Sequence, residues 1–266
     1  MKNLLTLFCI FILSGCVASL PVQRSLSSTS WGYKYVSDPE PVRAGEKSQR
    51  FEVRKGDCGE DNGWSDCKTD RERSEVSVNT SIYPKTEMWF SWSIFIPHDF
   101  KSSNTVMTTV GQIHQRGVVT GLTSTAGGFP SFPPLLQFDI RENCFGATYH
   151  RLFKGISTLS DYGDYECMTK LDNVRGKWTD VVVHFNSNTE NGILEIFLNG
   201  ERKRSIKNAV IVVPDNFYLK YGIYRSFVSN QPQGMPTQIV YFDEVRMGKT
   251  RMDVDIQLNP ELKPVD

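Results

Sequence analysis

Apolar and polar residues alternate along much of this chain with a period of two, which is typical of half-buried β-strands. Segment 88–96 is an example, because one of its faces is entirely apolar: Met88, Phe90, Trp92, Ile94 and Ile96. The alternation predicts ten strands, at 31–36, 49–53, 73–78, 88–96, 106–114, 135–140, 178–185, 193–198, 218–224 and 239–245. No segment keeps a helical apolar period over three turns. The pattern therefore predicts an all-β fold, either a β-sandwich or a jelly roll.

The amino terminus has the features of an export signal. Lys2 precedes an apolar run at 4–13, which is too short to span a bilayer as a stable helix. Residues 13–16 (Leu-Ser-Gly-Cys) resemble the lipobox of bacterial lipoproteins, which implies cleavage before Cys16 and lipidation of its thiol. An ordinary signal peptide with a chance cysteine is the alternative. An aspartate directly after the lipidated cysteine is associated with retention in the inner membrane, but this chain has Val17 there. We therefore expect an extracytoplasmic lipoprotein of the outer membrane, attached through its lipid alone.

The rest of the chain predicts one domain with a short segment at each end. Residues 1–15 form the signal peptide, and the Ser- and Thr-rich segment 16–30 is typical of a flexible tether. Residues 31–250 form the jelly-roll domain, followed by a C-terminal extension at 251–266. The chain has 30 basic and 30 acidic residues and the signal removes only Lys2, which leaves a net charge of −1. This balance of charges argues against nucleic-acid binding. We expect an acidic polysaccharide ligand to be attracted by a local basic cleft, and we expect the protein to be a monomer.

Four cysteines lie in the predicted domain, an even number in a protein whose export favours oxidised thiols. Three connectivities are open to them, and the nearest pairing joins Cys58 to Cys67 and Cys144 to Cys167. A zinc site is the alternative, but the chain has no CxxC spacing and its histidines are scattered. We therefore predict two disulfides and no metal centre.

An acidic loop follows the second predicted strand. Its carboxylates are those of Asp57, Glu60, Asp61, Asp66 and Asp70. Oxygen ligands of this kind hold calcium in other proteins, but the loop lacks a recognised calcium-binding spacing. We predict a solvated turn and no cofactor, with a structural calcium ion as the alternative.

Three predicted strands carry polar residues whose chemistry fits together. Because side chains at i, i+2 and i+4 share one face of a strand, each segment presents a polar face. The faces hold Arg73 and Glu75; Gln112 and His114; and Tyr218, Lys220, Gly222 and Tyr224. One cleft lined by these faces would suit holding a carboxylate and moving a proton beside it. Cleavage of an acidic polysaccharide by β-elimination requires that combination.

The chemistry suggests a role for each residue. Removing the proton next to a uronate carboxylate requires that the carboxylate first be neutralised, a role that suits the fork of Arg73, the amide of Gln112 and the imidazole of His114. Tyr224 is our first candidate for the acid. It becomes a candidate base as well if Lys220 and Arg73 lower the pKa of its phenol. His114 is the other candidate base, because its ordinary pKa of about 6.5 lies near working pH.

Lys220, Tyr218 and Glu75 are predicted to bind substrate, and Gly222 to leave room for a sugar ring over the strand. Each of these residues also has a structural explanation: tyrosines favour strands, and Arg73 with Glu75 would make an ion pair in which Glu75 orients Arg73.

Two further features are candidate parts of the cleft. His150 and Arg151 precede Lys154 and would add charge to it. The segment 124–134 is rich in glycine, serine and proline, which is typical of a lid or of a mobile surface loop.

The segments Arg-Ser-Glu at 73–75, Gln-Ile-His at 112–114 and Tyr-x-Lys-x-Gly-x-Tyr at 218–224 resemble three motifs of jelly-roll alginate lyases. The surrounding strands at 88–97, 178–183, 192–200 and 241–246 resemble the heparin-lyase-I-like and glucuronan-lyase group more closely, and the resemblance covers about 31–248. It implies a jelly roll with a concave groove. It also assigns carboxylate neutralisation to Arg73 and Gln112, with His114 as a further contributor, and proton transfer to His114 and Tyr224.

Two departures from the alginate-lyase pattern, Tyr221 and Arg225, weaken alginate as the substrate. Because successive side chains of a strand point to opposite faces, Arg225 is predicted to face away from Tyr224.

The sequence therefore predicts a lipid-anchored polysaccharide lyase that acts on a uronic-acid polymer. Two alternatives belong to other functional classes. A carbohydrate-binding β-sandwich would have the same groove without turnover. A glycoside hydrolase would need two carboxylates across the scissile bond, whereas the predicted groove is basic.

Overall fold

A computed structural model describes residues 19–61, 63–117, 132–154, 159–210 and 214–266, with side chains described for all of these except 152–154 and 159–162. The predicted signal peptide, Cys16 and most of the segment 124–134 lie outside the described residues. Within the described ranges, no helix has both the length and the apolar character that a membrane crossing needs.

The described chain is built almost entirely from antiparallel strands. They are β1 (Val22–Ser25), β2 (Tyr33–Val36), β3 (Ser48–Val53), β4 (Glu60–Asp61), β5 (Trp64–Ser65), β6 (Arg71–Val78), β7 (Glu87–Phe95), β8 (Thr108–Arg116), β9 (Leu136–Arg141), β10 (Cys144–Lys154), β11 (Leu159–Lys170), β12 (Trp178–Asn186), β13 (Ile193–Leu198), β14 (Glu201–Lys207), β15 (Asn216–Ser226) and β16 (Gln238–Gly248). Three 3-10 helices follow β11, β15 and β16: Leu171–Asn173, Val228–Asn230 and Arg251–Asp253.

Two seven-stranded sheets pack face to face. Sheet I has the order β1-β6-β15-β8-β9-β10-β11, and sheet II has the order β14-β13-β12-β7-β16-β3-β2. Their inner faces meet in a core of large apolar side chains, among them Phe51, Trp92, Phe138, Phe185 and Phe242. All ten predicted strands are present within a few residues, so the all-β sandwich prediction is confirmed.

The structure adds strands that alternation did not predict. Val22–Ser25 pairs with β6 as an edge strand, although the sequence predicts a flexible tether there. Its backbone hydrogen bonds depend on a partner that is distant in sequence, so its local composition gave no signal. The hairpin β10–β11 and the highly charged edge strand β14 were also missed, and β14 has few buried side chains to mark it as a strand.

The segment after β16 is also part of the packed structure. Val254 and Val265 are buried, and the Asp266 side chain accepts hydrogen bonds from the backbone amides of Glu46 and Lys47 at 2.8 and 3.0 Å. The predicted C-terminal extension therefore packs against the domain.

Both predicted disulfides are formed. Cys58 is bonded to Cys67 and Cys144 to Cys167, with Cα separations of 5.2 and 5.8 Å. The first closes the acidic loop that leads into β6, and the second joins the start of β10 to the end of β11. The nearest-neighbour pairing is confirmed.

Candidate active site

The outer face of sheet I brings the three predicted polar segments together. On strand β15, Lys220 lies opposite Gln112 of β8, and Tyr218 lies opposite His114. On the other side of β15, Tyr224 lies opposite Arg73 of β6. Gln112 and Lys220 are almost fully buried although they face away from the core, so the floor of this outer face is recessed.

Glu75 is the centre of the polar cluster on this floor. Its carboxylate lies 2.5 Å from Lys220 Nζ and 3.4 Å from Arg73 Nη1, and it also accepts a hydrogen bond from Gln112 Nε2. Because Glu75 is buried, it holds three of the predicted site residues in fixed positions. Burial lowers the pKa of Lys220, and the charge of Glu75 opposes that change.

The guanidinium of Arg73 is held by a second carboxylate. Asp66 accepts from Nε at 2.5 Å and from Nη2 at 2.7 Å, and the Asp66 side chain is fully buried. The prediction that Asp66 lies in a solvated turn is therefore wrong, because it closes a bidentate ion pair with the site. The guanidinium fork of Arg73 was predicted to receive the substrate carboxylate, but Asp66 occupies it.

Tyr224 lies between two arginines of β6. Its hydroxyl accepts a hydrogen bond from Arg71 Nε at 3.0 Å, and the guanidinium carbon of Arg73 is 4.5 Å from its ring centre. Burial raises the pKa of Tyr224, although Arg73 and Arg71 oppose the rise. Arg73 thus acts in the predicted direction, but burial outweighs it, and the phenol is held in its protonated form in the free protein.

His114 is half-buried at the Tyr218 end of the cluster. Its Nδ1 lies 2.9 Å from both the amide nitrogen and the carbonyl oxygen of Gln115, which fixes the ring. Burial, together with the positive charges of Lys220 and Arg73, lowers the pKa of His114 to about 3. The imidazole is therefore neutral at neutral pH and able to accept a proton.

The ring of Tyr218 lies between His114 and an arginine. Its ring centre is 5.2 Å from that of His114 and 4.4 Å from the guanidinium carbon of Arg116. Burial raises its pKa to about 12. The aromatic ring of Tyr218 therefore borders the polar cluster on the side of His114.

The two further cleft candidates, His150 and Arg151, lie in different places in the structure. His150 Nε2 lies 2.6 Å from the Oε1 of Gln137, whose amide donates to Thr109 Oγ1 at 3.2 Å on the same outer face. Arg151 is exposed and lines a different cleft of about 470 Å³ beside β14. His150 therefore belongs to the recessed face, and the placement of Arg151 in the groove is wrong because successive side chains on β10 point to opposite faces.

A family model for polysaccharide lyases matches residues 23–246 of this chain. The chain belongs to the polysaccharide lyase family. No curated protein sequence matches it.

Solved structures of lyases share this fold. The endo-β-1,4-glucuronan lyase of the fungus Trichoderma reesei superposes with a TM-score of 0.66 at 18% identity, over 91% of this chain and 94% of that one. Alginate lyase vAL-1 from Chlorella virus gives a TM-score of 0.55 at 15% identity, over 87% and 93%. Alginate lyase A1-II′, a member of polysaccharide lyase family 7, gives 0.53 at 14% identity, over 83% and 84%.

Gly222 of the lyase has a different role from the one predicted. Its φ is +129°, and a Cβ added there would lie 2.4 Å from the Ser74 carbonyl oxygen and 2.8 Å from the Phe51 ring. The missing side chain therefore makes room for β6 and for the core. It does not make room for a sugar, and that prediction is wrong.

The two positions that depart from the alginate-lyase pattern lie outside the groove. Arg225 is completely buried on the other face of β15, where it binds Glu72 and donates to the Pro236 carbonyl at 2.6 Å. Tyr221 points into the core and donates to Gln49 at 2.8 Å. The prediction that Arg225 faces away from Tyr224 is confirmed.

Two further carboxylates of the acidic loop have partners within the protein. Asp57 accepts from Trp31 Nε1 at 2.9 Å and from the Arg54 amide at 2.8 Å, and Glu60 accepts from Ser65 Oγ at 2.5 Å. Across the described ranges, no three histidine, cysteine, aspartate or glutamate side chains are grouped so that they could hold a metal ion.

Sequence reasoning missed several residues of the candidate site. Arg71 lies two residues before Arg73 and so shares its face, a signal that the sequence contained. Gln137 and Asp139 alternate in the same way on β9. Asp66 gave no such signal, because only the folding of the disulfide-closed loop brings it to Arg73.

Proposed function

We propose that this lyase cleaves a uronic-acid-containing polysaccharide by β-elimination on the outer face of sheet I. One observation carries the proposal: a buried cluster of Arg73, Glu75, Gln112 and Lys220 has a neutral imidazole, His114, near one end and a protonated phenol, Tyr224, near the other. The named substrates of its structural relatives, glucuronan and alginate, are both uronate polymers, which supports the same class here.

The first requirement is to neutralise the substrate carboxylate. Removal of the C5 proton puts negative charge beside that group, so the donors must already be in place. The amide of Gln112 is held by Glu75 and offers its second N–H to the carboxylate. Arg73 contributes its charge and the N–H groups that Asp66 and Glu75 leave unused.

The second requirement is a base and an acid. His114 takes the C5 proton, and the electron pair of that bond forms the C4–C5 double bond while the C4–O4 bond breaks. Tyr224 donates its proton to the departing O4. These roles follow the two pKa directions, because a base must start unprotonated and an acid must start protonated. Arg71, as a hydrogen-bond donor to Tyr224, stabilises the phenolate that remains.

The pH dependence of kcat/KM tests this assignment. The base is active above the pKa of His114, about 3, and the acid is active below the raised pKa of Tyr224. We therefore expect kcat/KM to be flat between about pH 5 and pH 8. A fall centred near pH 6.5, the ordinary value for imidazole, would contradict the depressed pKa of the base.

The product of β-elimination provides the test of the proposed function. An unsaturated uronate absorbs in the ultraviolet, so the domain is mixed in turn with glucuronan, alginate and heparin-type polymers and the absorbance is followed. Rising absorbance with one of them is the expected result. Reducing ends without absorbance would indicate hydrolysis, and binding without either product would indicate a carbohydrate-binding protein.

We further propose that the protein is exported and lipidated at Cys16, on the strength of its lipobox-like sequence. Metabolic labelling with a fatty acid is expected to mark the parent and not a Cys16→Ser variant. Equal labelling of both would rule out this site of attachment.

A further inference from the structure

Another aromatic and cationic pair lies on the outer face of sheet I, away from the proposed catalytic residues. The guanidinium carbon of Arg141, the last residue of β9, is 4.2 Å from the ring centre of Tyr165 on β11. The Tyr165 ring rests on bare backbone of β10, since a Cβ added to Gly146 would lie 2.7 Å from two of its ring carbons. Arg141 and Tyr165 are called the distal pair below.

The floor beneath the distal pair is polar and fully connected. Arg141 donates to Thr148 Oγ1 at 2.8 Å, and Thr148 in turn donates to Asp139. Asp139 is completely buried and also accepts from Thr109 Oγ1 at 2.8 Å. Arg141 is the least buried member of this group, with 36% of its side chain exposed. Its guanidinium is thus held from below while part of it faces the solvent.

The distal pair has hydrogen-bonding capacity that the fold does not use. In the part of the chain that the structure describes, seven buried side-chain atoms have no hydrogen-bond partner, and Arg141 Nε and Tyr165 Oη are two of them. Such atoms are uncommon in folded proteins because each is costly to leave unmatched. Two of these atoms lie in adjacent side chains of the outer face, so a ligand that rearranged the pair could satisfy both.

The register of sheet I places the distal pair in line with Tyr224. Tyr224 lies opposite Thr109, Thr109 opposite Asp139, and Asp139 opposite Gly146, beneath the Tyr165 ring. Neighbouring strands are about 4.8 Å apart, so the three steps from β15 to β10 cover about 14 Å. A polymer lying across the strands would reach both places at once, several sugars apart.

We propose that Arg141 and Tyr165 form a distal subsite for a uronate of the same polymer, an inference that rests on the proposed function. Arginine is suited to a carboxylate, and an aromatic ring covers the C–H face of a sugar. The disulfide between Cys144 and Cys167 fixes this subsite, because its two ends lie three residues after Arg141 and two residues after Tyr165. The subsite selects long chains over short ones and takes no part in the chemical step.

The experiment measures kcat and KM for oligomers of increasing length, prepared from glucuronan or alginate according to which polymer the parent cleaves. Arg141→Gln and Tyr165→Leu are compared with the parent, and Lys207→Gln, at an exposed lysine of β14, is the matched control. For oligomers long enough to span both places, KM is expected to rise at least about tenfold, as for the loss of one charge-assisted hydrogen bond, with kcat unchanged. The shortest oligomer that the parent cleaves should be unaffected.

Arg141→Lys keeps the charge above Asp139 and is the second variant should Arg141→Gln unfold. It is expected to show the same length dependence, because lysine lacks the planar fork. Equal changes at every length, or no change at any length, would overturn the distal subsite. A parent that cleaves no uronate polymer would overturn the proposed function instead, so the two failures are distinct.

Discussion

Replacing Tyr224 by phenylalanine is expected to reduce kcat by about a thousandfold, within the range for loss of a general acid. The ring and its contact with Arg73 remain, whereas the hydroxyl that would deliver the proton to O4 is lost. Substrate binding should persist, because carboxylate recognition is assigned to Gln112 and Arg73. The measurement is kcat from ultraviolet absorbance, with binding of the same polymer followed by calorimetry.

A matched control is Tyr83→Phe, which removes a hydroxyl from a tyrosine that is 66% exposed and is expected to leave kcat unchanged. Tyr218→Phe is the more informative comparison, because it lies on the same strand beside His114. We expect it to affect KM more than kcat. If Tyr218→Phe abolished turnover while Tyr224→Phe left it intact, the acid would have to be reassigned to Tyr218.

The second large effect is expected at Glu75, where Glu75→Gln removes the negative charge shared by Arg73, Gln112 and Lys220. Arg73 keeps Asp66, but Lys220 is left as an uncompensated buried cation. Breaking a buried ion pair on one side costs about 3–5 kcal/mol in the free energy of unfolding. Urea denaturation measures this loss, and activity should fall with it because Gln112 and Lys220 lose their fixed positions.

A double variant separates the charge effect from a packing effect. In Glu75→Gln with Lys220→Met, neither member of the pair is charged, so much of the lost stability should return while activity stays low. Glu201→Gln is the control, because Glu201 pairs with Lys203 at the surface and is 72% exposed; it should cost less than about 1 kcal/mol. No recovery in the double variant would show that the loss comes from packing and not from the buried charge.

The strand pattern was predictable from the sequence wherever one face of a strand is apolar. Segments such as Glu87–Phe95 and Trp178–Asn186 alternate clearly because one face packs in the core. Val22–Ser25 and Glu201–Lys207 escaped detection because they are edge strands with few buried side chains. Their pairing depends on the backbone of a neighbour and leaves little trace in composition.

The candidate site was likewise predictable from the sequence only in part. Parity along a strand showed from the sequence that Gln112 shares a face with His114, and Lys220 with Tyr224, because a β-strand has a fixed period of two. It also showed that Arg225 faces away. The resemblance to known lyases then identified the chemistry that these faces serve.

Only the tertiary structure decided which strands are neighbours and which charges meet. Asp66 occupies the fork of Arg73, Glu75 joins residues from three strands, and the Tyr165 ring covers Gly146. These contacts join residues that are far apart in the chain or held by a disulfide, and no local pattern encodes them. The pKa directions of His114 and Tyr224 were likewise beyond the sequence, because they depend on burial that only the packed sheets create. Burial adds to the effect of the neighbouring cations at His114 and outweighs it at Tyr224.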